Sequence, residues 1–263
     1  MRSCWDYHLR SGEFLTWIAI LERDGITVLN PPELIRWNHD KIYLSELAAK
    51  GVPIPETIFL APGDNLDLAS VCASRGWTKA VVKPQISASA WKTECRTSGV
   101  ICGPMLIQEY VTAIEIEGEW SLVYVHGRFS HAVVKRPRSG DFRVQSEFGG
   151  QVQETHPPAR LVKFADAAVE KLEFPSLFAR VDLISDHENI WLMELELIEP
   201  ELFLDLLPGA AARVADCIVS ELSRQTYTPF KKRQVRTEGM LEARAQAHPF
   251  CRKEDEIPTK RAK

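Results

Sequence analysis

The residues best suited to chemistry lie between positions 178 and 200, where three carboxylates fall on two short apolar segments. Glu194 and Glu196 alternate with apolar residues, and because the side chains of a strand point alternately to its two faces, both carboxylates share one face. Asp182 belongs to the preceding apolar segment, and the polar residues 186–189 indicate a hairpin turn. With a three-residue loop, Asp182 would lie opposite Glu194 on the same face.

Neighbouring carboxylates on a half-buried sheet would repel one another and lose hydration. A hard divalent cation that takes oxygen ligands offsets both costs, so the pattern indicates a site for Mg2+, with Mn2+ as an alternative ion, bound together with substrate phosphates. The solvated polar face of an ordinary strand is the other interpretation. Both interpretations stay open on these residues alone.

The composition is typical of a globular protein. The chain has 263 residues, 45% hydrophobic and 26% charged, enough for one large or two modest domains. A formal net charge of −4 argues against a nucleic-acid partner. No apolar run approaches the length of a membrane-spanning helix and the N-terminus has no apolar signal core, so we expect a cytoplasmic protein with no membrane partner. The six cysteines include no CxxC pair, which indicates reduced thiols.

The three carboxylates lie late in the chain, after a region where apolar periodicity predicts alternating helices and strands. A helix over residues 39–50 would carry Lys41 in its first turn, and a strand over 79–83 would end at Lys83. Beyond Pro229 the charged sequence indicates disorder. The other predicted strands cover residues 26–29, 57–60, 105–110, 120–126, 129–135 and a pair around 142–145 and 149–153. The other predicted helices cover residues 13–23, 66–75, 160–172 and 209–224.

Several basic and polar residues could handle a nucleotide. An ammonium that leaves an apolar strand, as at Lys83, could hold phosphate, although a solvated lysine at a strand end is also ordinary. The small, hydroxylated loop 85–93 could close over phosphates. No GxxxxGK[ST] or GxGxxG motif occurs, which removes the main support for a P-loop or Rossmann site. The segment 108–110 could meet an adenine edge, and the cations at 135, 136, 138 and 143 would repel one another unless anions bind there.

In this order, the motifs resemble those of the ATP-grasp ligases. The matching segments are the helical lysine Lys41, Val81-Val82-Lys83-Pro84, Gln108-Glu109-Tyr110-Val111, Glu117-Gly118-Glu119-Trp120-Ser121, Lys135-Arg136-Pro137, Phe142-Arg143-Val144-Gln145, Arg180-Val181-Asp182 and Met193-Glu194-Leu195-Glu196. The similarity covers roughly residues 2–224 and is strongest to the glutathione synthetase-type ATP-binding proteins, close to the branch of the ligase that closes the D-cycloserine ring. The ordered set is more specific than any single motif.

The resemblance implies an α+β fold in which two α+β subdomains hold ATP between antiparallel sheets. Residues 1–35 would be the remnant of an N-terminal α/β domain that family members carry, and the chain would begin where that domain is ending. Residues 36–228 would form the ATP-grasp domain, with a central-sheet subdomain at about 57–107 and a C-terminal subdomain at about 108–228. Residues 229–263 would be a tail. A homodimer or a partner subunit could cover the exposed N-terminal sheet edge.

The resemblance also implies roles for single residues. Lys41 and Lys83 would contact phosphates, and Glu115 or Glu119 would reach the ribose or its surroundings. Gln108, Glu109 and Tyr110 would line the adenine pocket. Lys135 and Arg143 would face the γ-phosphate and the substrate carboxylate, with Arg180 nearby, while Asp182, Glu194 and Glu196 would carry magnesium. The family usually has Glu-x-Asn at the last strand, so Glu196 adds a negative charge and leaves one or two ions possible.

The implied reaction is ATP-dependent joining of a carboxylate to an amine through an acyl phosphate, on an amino acid or a small peptide. Two alternatives remain at this stage. A truncated ATP-grasp core could serve as a non-catalytic ATP-binding module or partner subunit, or the site could act as a small-molecule kinase. Amide formation with release of ADP and phosphate would distinguish a ligase from a kinase.

Overall fold

The structure, a computed structural model, describes residues 4–138, 140–145 and 148–225. The tail predicted over residues 229–263 lies outside these residues. Residues up to Gln225 cluster into one compact unit. The division into an N-terminal remnant and an ATP-grasp domain stays a prediction.

Helices and strands are mixed along the described chain, which begins with a 3₁₀ helix at Tyr7–Arg10. No helix in the described ranges combines the length and apolar character needed to cross a lipid bilayer. The helices are α1 (Ser11–Arg23), α2 (Pro32–His39), α3 (Tyr43–Ala49), α4 (Leu68–Arg75), α5 (Ala113–Ile116), α6 (Ala159–Val169) and α7 (Ala210–Gln225). The strands are β1 (Thr57–Leu60), β2 (Asn65–Asp67), β3 (Ala80–Pro84), β4 (Glu94–Arg96), β5 (Val100–Cys102), β6 (Met105–Glu109), β7 (Glu119–Val125), β8 (Arg128–Arg136), β9 (Gln151–Thr155), β10 (Phe178–Ser185) and β11 (Ile190–Glu196).

The strand pairs are antiparallel and form two main sheets. The first has four strands in the order β1-β6-β3-β4, and the second has five in the order β11-β10-β7-β8-β9. A small sheet pairs β2 with β5. This arrangement confirms the α+β class with antiparallel sheets.

The four-stranded sheet packs against α4. Leu68 and Cys72 of that helix join Val82 and Ile107 of the sheet in one buried apolar cluster. Asp67 caps the helix by accepting a hydrogen bond from the backbone N–H of Ser70 at 3.2 Å, which satisfies a donor that the first helical turn leaves free. The result is a helix-backed sheet that presents Lys83 at the end of β3.

The five-stranded sheet has one apolar and one largely polar face near its centre. Leu122, Val181 and Leu195 lie on the apolar face and belong to the main buried cluster, which also contains Leu44 of α3 and Leu161 of α6. Because side chains alternate along a strand, the intervening residues of β7, β10 and β11 point to the opposite face. That face carries the charged residues of the candidate site.

Backbone groups on the free edge of β11 form hydrogen bonds with side chains rather than with another strand. Asn38 donates to the backbone oxygen of Leu195 at 2.6 Å and accepts from the N–H of Leu197 at 2.9 Å. The hydroxyl of Tyr43 accepts from the N–H of Leu195 at 2.9 Å. These bonds pair backbone groups that an edge strand otherwise leaves unpaired and lock α2 and α3 against β11.

The strand expected at residues 26–29 does not form. Asn30, which follows it, is buried and donates to the backbone oxygens of Phe178 (2.9 Å) and Leu197 (2.7 Å). Its side-chain oxygen accepts from the N–H of Leu177 at 2.7 Å. The side chain of Asn30 therefore hydrogen-bonds the backbone groups near the ends of β10 and β11. These groups need no strand at residues 26–29 as a partner.

The helix expected over residues 39–50 is broken, so Lys41 does not lie in a helical turn as predicted. Asp40 has an extended backbone (φ −108°, ψ 123°) that ends α2, and its carboxylate accepts from the N–H of Ile42 at 3.0 Å. This local bond competes with helix continuation. Lys41 lies in the connection to α3, and its N–H donates to the backbone oxygen of Gln85 at 2.9 Å.

The strand expected at residues 142–145 is also absent, and of the predicted pair only β9 forms, against β8. The carboxylate of Asp141 accepts from the backbone N–H groups of Phe142 (2.8 Å) and Arg143 (3.0 Å). A turn that uses these two donors removes them from a strand ladder.

Candidate active site

One cavity of about 480 Å³ lies between the two main sheets. The four-stranded sheet contributes Lys83 and Gln108, and the five-stranded sheet contributes its polar face. Of the residues predicted for the site, the cavity is lined by Lys41, Lys83, Gln108, Glu109, Tyr110, Glu119, Lys135, Arg143, Arg180, Asp182, Glu194 and Glu196. These residues come from distant parts of the sequence, so the fold brings the predicted set together around one space.

Asp182 lies at the centre of the polar face. Arg180 donates to its carboxylate through Nε (3.0 and 3.2 Å) and through a terminal nitrogen (2.8 Å), while the hydroxyl of Ser121 donates at 2.5 Å. Lys135 Nζ lies 3.4 Å from the same carboxylate. Burial alone would raise the pKa of Asp182, but Arg180 and Lys135 outweigh it, so the pKa lies below its usual value.

The register confirms that Asp182 lies opposite Glu194, although the predicted loop length was wrong. Ser185 pairs with Ile190, which leaves a turn of four residues, and a bulge between Asp182 and Leu183 inserts Met193 into β11. The extra residue in the turn and the extra residue in the bulge offset each other. The two carboxylates therefore share a face.

Glu194 and Glu196 are each held by a cation. Lys41 Nζ lies 2.5 Å from Glu194 and also donates to the backbone oxygen of Ser87 at 2.8 Å. Glu196 is hydrogen-bonded to a terminal nitrogen of Arg180. Burial, with the neighbouring negative charges of Glu194 and Asp182, raises the pKa of Glu196 to about 7 in spite of Arg180.

Lys135 joins the network from β8. Its Nζ lies 2.5 Å from Glu119, the residue directly opposite it in the β7–β8 register. Burial raises the pKa of Glu119, and Lys135 counteracts this effect. The polar face is thus a buried network in which cations from β8 and β10 alternate with carboxylates from β7, β10 and β11.

The expected metal ligands are on one face, but they are arranged as ion pairs. Within the described ranges, no three His, Cys, Asp or Glu side chains are grouped in a way that could hold a metal ion. The oxygen donors of Asp182, Glu194 and Glu196 are of the kind that Mg2+ prefers. Cation binding would require them to exchange partners with Arg180 and Lys41, so the metal assignment stays a prediction.

Lys83 differs from the other cations of the cavity. It is buried, and its side chain contacts Gln108 Oε1 at 3.5 Å, with no carboxylate close enough for an ion pair among the described residues. Gln108 in turn donates to the hydroxyl of Thr57 at 3.0 Å. Burial lowers the pKa of Lys83. An uncompensated buried ammonium of this kind favours an anionic ligand.

An apolar cluster lines another part of the cavity. Tyr110, Ile114, Val144 and Ile184 are its buried members, and Met193 packs against them. Pockets for planar ligands are mostly apolar with a few placed polar groups. Tyr110 of this cluster directly follows Gln108 and Glu109 in the sequence, and the adenine pocket stays a prediction.

Two predicted residues are less closely tied to the network. Glu115 does not line the cavity; its carboxylate accepts from the hydroxyl of Tyr110 at 2.5 Å and lies 3.4 Å from Lys79. Arg143 does line the cavity, but its guanidinium is bonded to Asp141 at 2.7 Å. Of the two candidates for the ribose surroundings, it is Glu119 that lies in the cavity.

Sequence reasoning missed several residues that line or support the site. Ser121 ends the Glu117–Ser121 motif, but no role was predicted for it, because its bond to Asp182 depends on the strand register. Asn38 carries no motif signal, since its role depends on helix docking. Tyr7 and Glu199 also line the cavity. Glu199 could have been predicted from the sequence, because its carboxylate directly follows the apolar Leu197-Ile198 and precedes Pro200. A charged side chain in such an apolar setting is rarely buried without a ligand or a partner.

Two curated proteins resemble the chain in sequence. The chain is 29% identical over 248 residues to the cycloserine biosynthesis protein DcsG of Streptomyces lavendulae, covering 84% of this chain and 82% of that protein. It is 25% identical over 221 residues to a glutathione synthetase of Prochlorococcus marinus (strain MIT 9313), covering 78% and 67%. No protein-family model matches the chain.

Solved structures show the same relationship. The crystal structure of D-cycloserine synthetase DcsG superposes with a TM-score of 0.69 at 28% identity, covering 84% of this chain and 82% of that one. A D-alanine–D-alanine ligase from Bacillus anthracis has a TM-score of 0.58 at 19% identity, covering 79% and 75%, and it supports the fold alone. In sequence and fold the chain is therefore similar to the ATP-grasp ligases, near DcsG, and this similarity supports an ATP-dependent enzyme that joins a carboxylate to an amine.

Proposed function

We propose that this ligase activates the carboxylate of an amino acid or small peptide as an acyl phosphate, in a Mg2+-dependent reaction, and then transfers the acyl group to an amine. The observation that carries the proposal is the single cavity that joins the buried cations Lys41, Lys83, Lys135 and Arg180 to an apolar cluster. The cations suit the phosphates and the carboxylate of a small acid, and the apolar cluster suits a purine ring.

The nucleotide would lie with its base against the cluster around Tyr110 and Met193. Gln108 and Glu109 would offer polar groups to the adenine edge, and Glu119 would lie near the ribose. Lys83, which lacks an ion-pair partner among the described residues, would bind phosphate oxygens together with Lys41. Lys41 also contacts Ser87 of loop 85–93, so phosphate binding would be coupled to the loop that excludes water.

The cations of the polar face would act on the transferring phosphoryl group. A substrate carboxylate oxygen attacks the γ-phosphorus, the bond to the bridging oxygen breaks, and ADP leaves. Lys135, Arg180 and Arg143 would neutralise the charge on the phosphoryl and carboxylate oxygens. The amine nitrogen then attacks the acyl carbon, phosphate leaves with the electron pair of the C–O bond, and the nitrogen loses a proton.

Asp182, Glu194 and Glu196 would hold magnesium, which supplies further neutralisation of phosphate charge when bound. Their oxygens fit a hard cation. Burial, followed by the charges of Glu194 and Asp182, raises the pKa of Glu196, and a bound cation would offset these effects. Arg180 and Lys41 would then be released toward the substrate and the phosphates.

The test is an assay of ADP release with Mg-ATP and a panel of free D- and L-amino acids and dipeptides, followed by mass spectrometry of the products. A ligase yields an amide together with ADP and phosphate. A stable phosphorylated product without an amide would instead indicate a kinase and contradict the proposal.

Magnesium dependence is tested in the same assay with the variant Glu194→Gln/Glu196→Gln. The neutral side chains keep their shape but lose metal affinity, so turnover should fall by roughly a hundredfold or more, while the circular dichroism spectrum remains that of the wild type. Unchanged turnover in this variant would remove the metal assignment. Glu188→Gln, at an exposed position of the β10–β11 turn, is the matched control.

A further inference from the structure

Glu199 differs from the carboxylates of the charged network that the preceding section describes. It follows β11, is 8% exposed and lines the cavity. Whereas Asp182, Glu194 and Glu196 are each held by a cation, the carboxylate of Glu199 has no hydrogen bond or ion pair within the described part of the chain. Burial, followed by the charges of Glu196 and Glu194, raises its pKa to about 8 against the effects of Lys41 and Arg180.

The neighbourhood of Glu199 is aromatic. The indole N–H of Trp5 donates to the backbone oxygen of Glu199 at 3.3 Å, and both Trp5 and Tyr7 line the cavity. Tyr7 packs in one buried cluster with Ile198, the residue directly before Glu199. Burial raises the pKa of Tyr7, and Glu199 is the first of the charges that add to this effect.

This part of the cavity is distinct from the proposed nucleotide pocket. Tyr7 and Ile198 belong to one apolar cluster with α1 and α2 residues, whereas Tyr110 and Val144 belong to another. The charged network of β10 and β11 contributes the lining residues Arg180, Asp182, Glu194 and Glu196 to the same cavity. A ligand group at Glu199 would therefore be a part of the second substrate rather than of ATP.

We propose that Glu199 is a specificity-determining residue that binds the ammonium group of an amino-acid substrate, with the aromatic rings of Trp5 and Tyr7 beside it. A buried carboxylate that lacks donors, next to aromatic rings, matches an ammonium, which has three donors and no acceptor and is attracted to ring faces. The group held there is protonated, so it is the group that positions the substrate and not the attacking nitrogen. This inference rests on the proposed ligase function.

The experiment uses the full chain, with Glu199→Gln as the test variant and Glu188→Gln as a control that removes one surface carboxylate. Mg-ATP binding is first measured by calorimetry. ADP release is then measured with free D- and L-amino acids and with the N-acetyl form of each, and KM is determined for the amino acid, for ATP and for Mg2+. Urea unfolding shows whether the variant is folded.

We expect free amino acids to stimulate ADP release more than their N-acetyl forms. Glu199→Gln should raise the amino-acid KM roughly tenfold or more, leave the ATP and Mg2+ dependence unchanged, and unfold at no lower urea concentration than the wild type. Glu188→Gln should behave as the wild type.

Three results would overturn the inference while the ligase proposal survives: equal stimulation by free and N-acetylated amino acids, an unchanged amino-acid KM in Glu199→Gln, or an effect of this variant on the ATP or Mg2+ dependence instead. Absence of Mg-ATP binding by the wild type is a different result, because it would contradict the proposed function itself.

Discussion

Lys41 and Glu194 form an ion pair at 2.5 Å across a separation of 153 residues. Lys41 lies in the connection between α2 and α3, and Glu194 lies on β11. Burial opposes the charge of Lys41, but Glu194 outweighs it and raises the pKa of the lysine. The pair therefore fixes the turn before α3 to the sheet and, through Ser87, to loop 85–93.

Replacement of Lys41 by methionine should destabilise the protein by about 2–3 kcal/mol, because a partly buried carboxylate loses its charged hydrogen-bond partner. The double variant Lys41→Met/Glu194→Leu should recover much of this loss, since an apolar pair carries no unpaired charge. Urea unfolding of the three proteins measures both effects, with Lys163→Met as an exposed control. A loss below about 0.5 kcal/mol in the single variant would show that the pair contributes little to folding.

Lys83→Met, unlike Lys41→Met, should weaken nucleotide binding without destabilising the protein. Because Lys83 has no carboxylate partner among the described residues, the apolar side chain should leave the stability unchanged or increase it. Binding of Mg-ATP should weaken roughly tenfold or more through loss of a phosphate contact. Calorimetric titration measures the affinity and urea unfolding the stability. Unaltered affinity would place the nucleotide phosphates away from the end of β3.

Asn38→Ala should destabilise the protein by about 3 kcal/mol, because the backbone oxygen of Leu195 and the N–H of Leu197 lose their partner at a buried position. Asn38→Asp should be no better, since a carboxylate cannot donate to Leu195. The free energy of unfolding in urea is the measurement, and Asn65→Ala, at an exposed position of β2, is the control. Equal losses in the two alanine variants would contradict the role of Asn38 in satisfying the β11 edge.

Stability should fall as the pH decreases below about 6.5, in part through His131. Its Nε2 bonds to the backbone oxygen of Leu202 at 2.8 Å and its Nδ1 to the hydroxyl of Ser130 at 2.9 Å, an arrangement that suits the neutral ring. Burial lowers its pKa, so the unfolded chain binds the proton first. The contribution is present above the unfolded pKa and is lost as the pH falls toward the folded value.

The measurement is the free energy of unfolding between pH 7.5 and 5.0 for the wild type and His131→Gln. One such proton changes the stability by at most about 1.4 kcal/mol per pH unit, and the variant should show a correspondingly shallower slope. His187→Gln, at an exposed position, should keep the wild-type slope. Identical slopes in all three proteins would mean that other groups cause the acid sensitivity.

Local pattern alone was sufficient to predict much of the scaffold. Alternation of apolar and acidic residues predicts that Glu194 and Glu196 share a face, and this holds because side-chain direction is a property of the strand itself. The helix α1 and the strands β1, β3, β6, β7 and β8 follow for the same reason. The ordered motifs predicted the ATP-grasp fold, and the structural comparison confirms it.

Local pattern failed where a single side chain satisfies the backbone. Asn30 removes the need for a strand at residues 26–29, Asp40 breaks the helix before Lys41, and Asp141 prevents a strand at 142–145. Each of these bonds competes with regular structure over only a few residues. The sequence shows which side chains could form these local bonds, but it does not show whether the bonds or the regular structure will form. The competing helix or strand ladder depends on partners far along the chain.

The sequence by itself determined which residues could do chemistry, since charge and polarity belong to the side chains. Tertiary structure alone decided which of them meet: it paired Lys41 with Glu194, left Lys83 and Glu199 without ion pairs among the described residues, and placed Glu115 outside the cavity. Ion pairing and desolvation depend on distance and burial, and both arise only when segments far apart in sequence pack together.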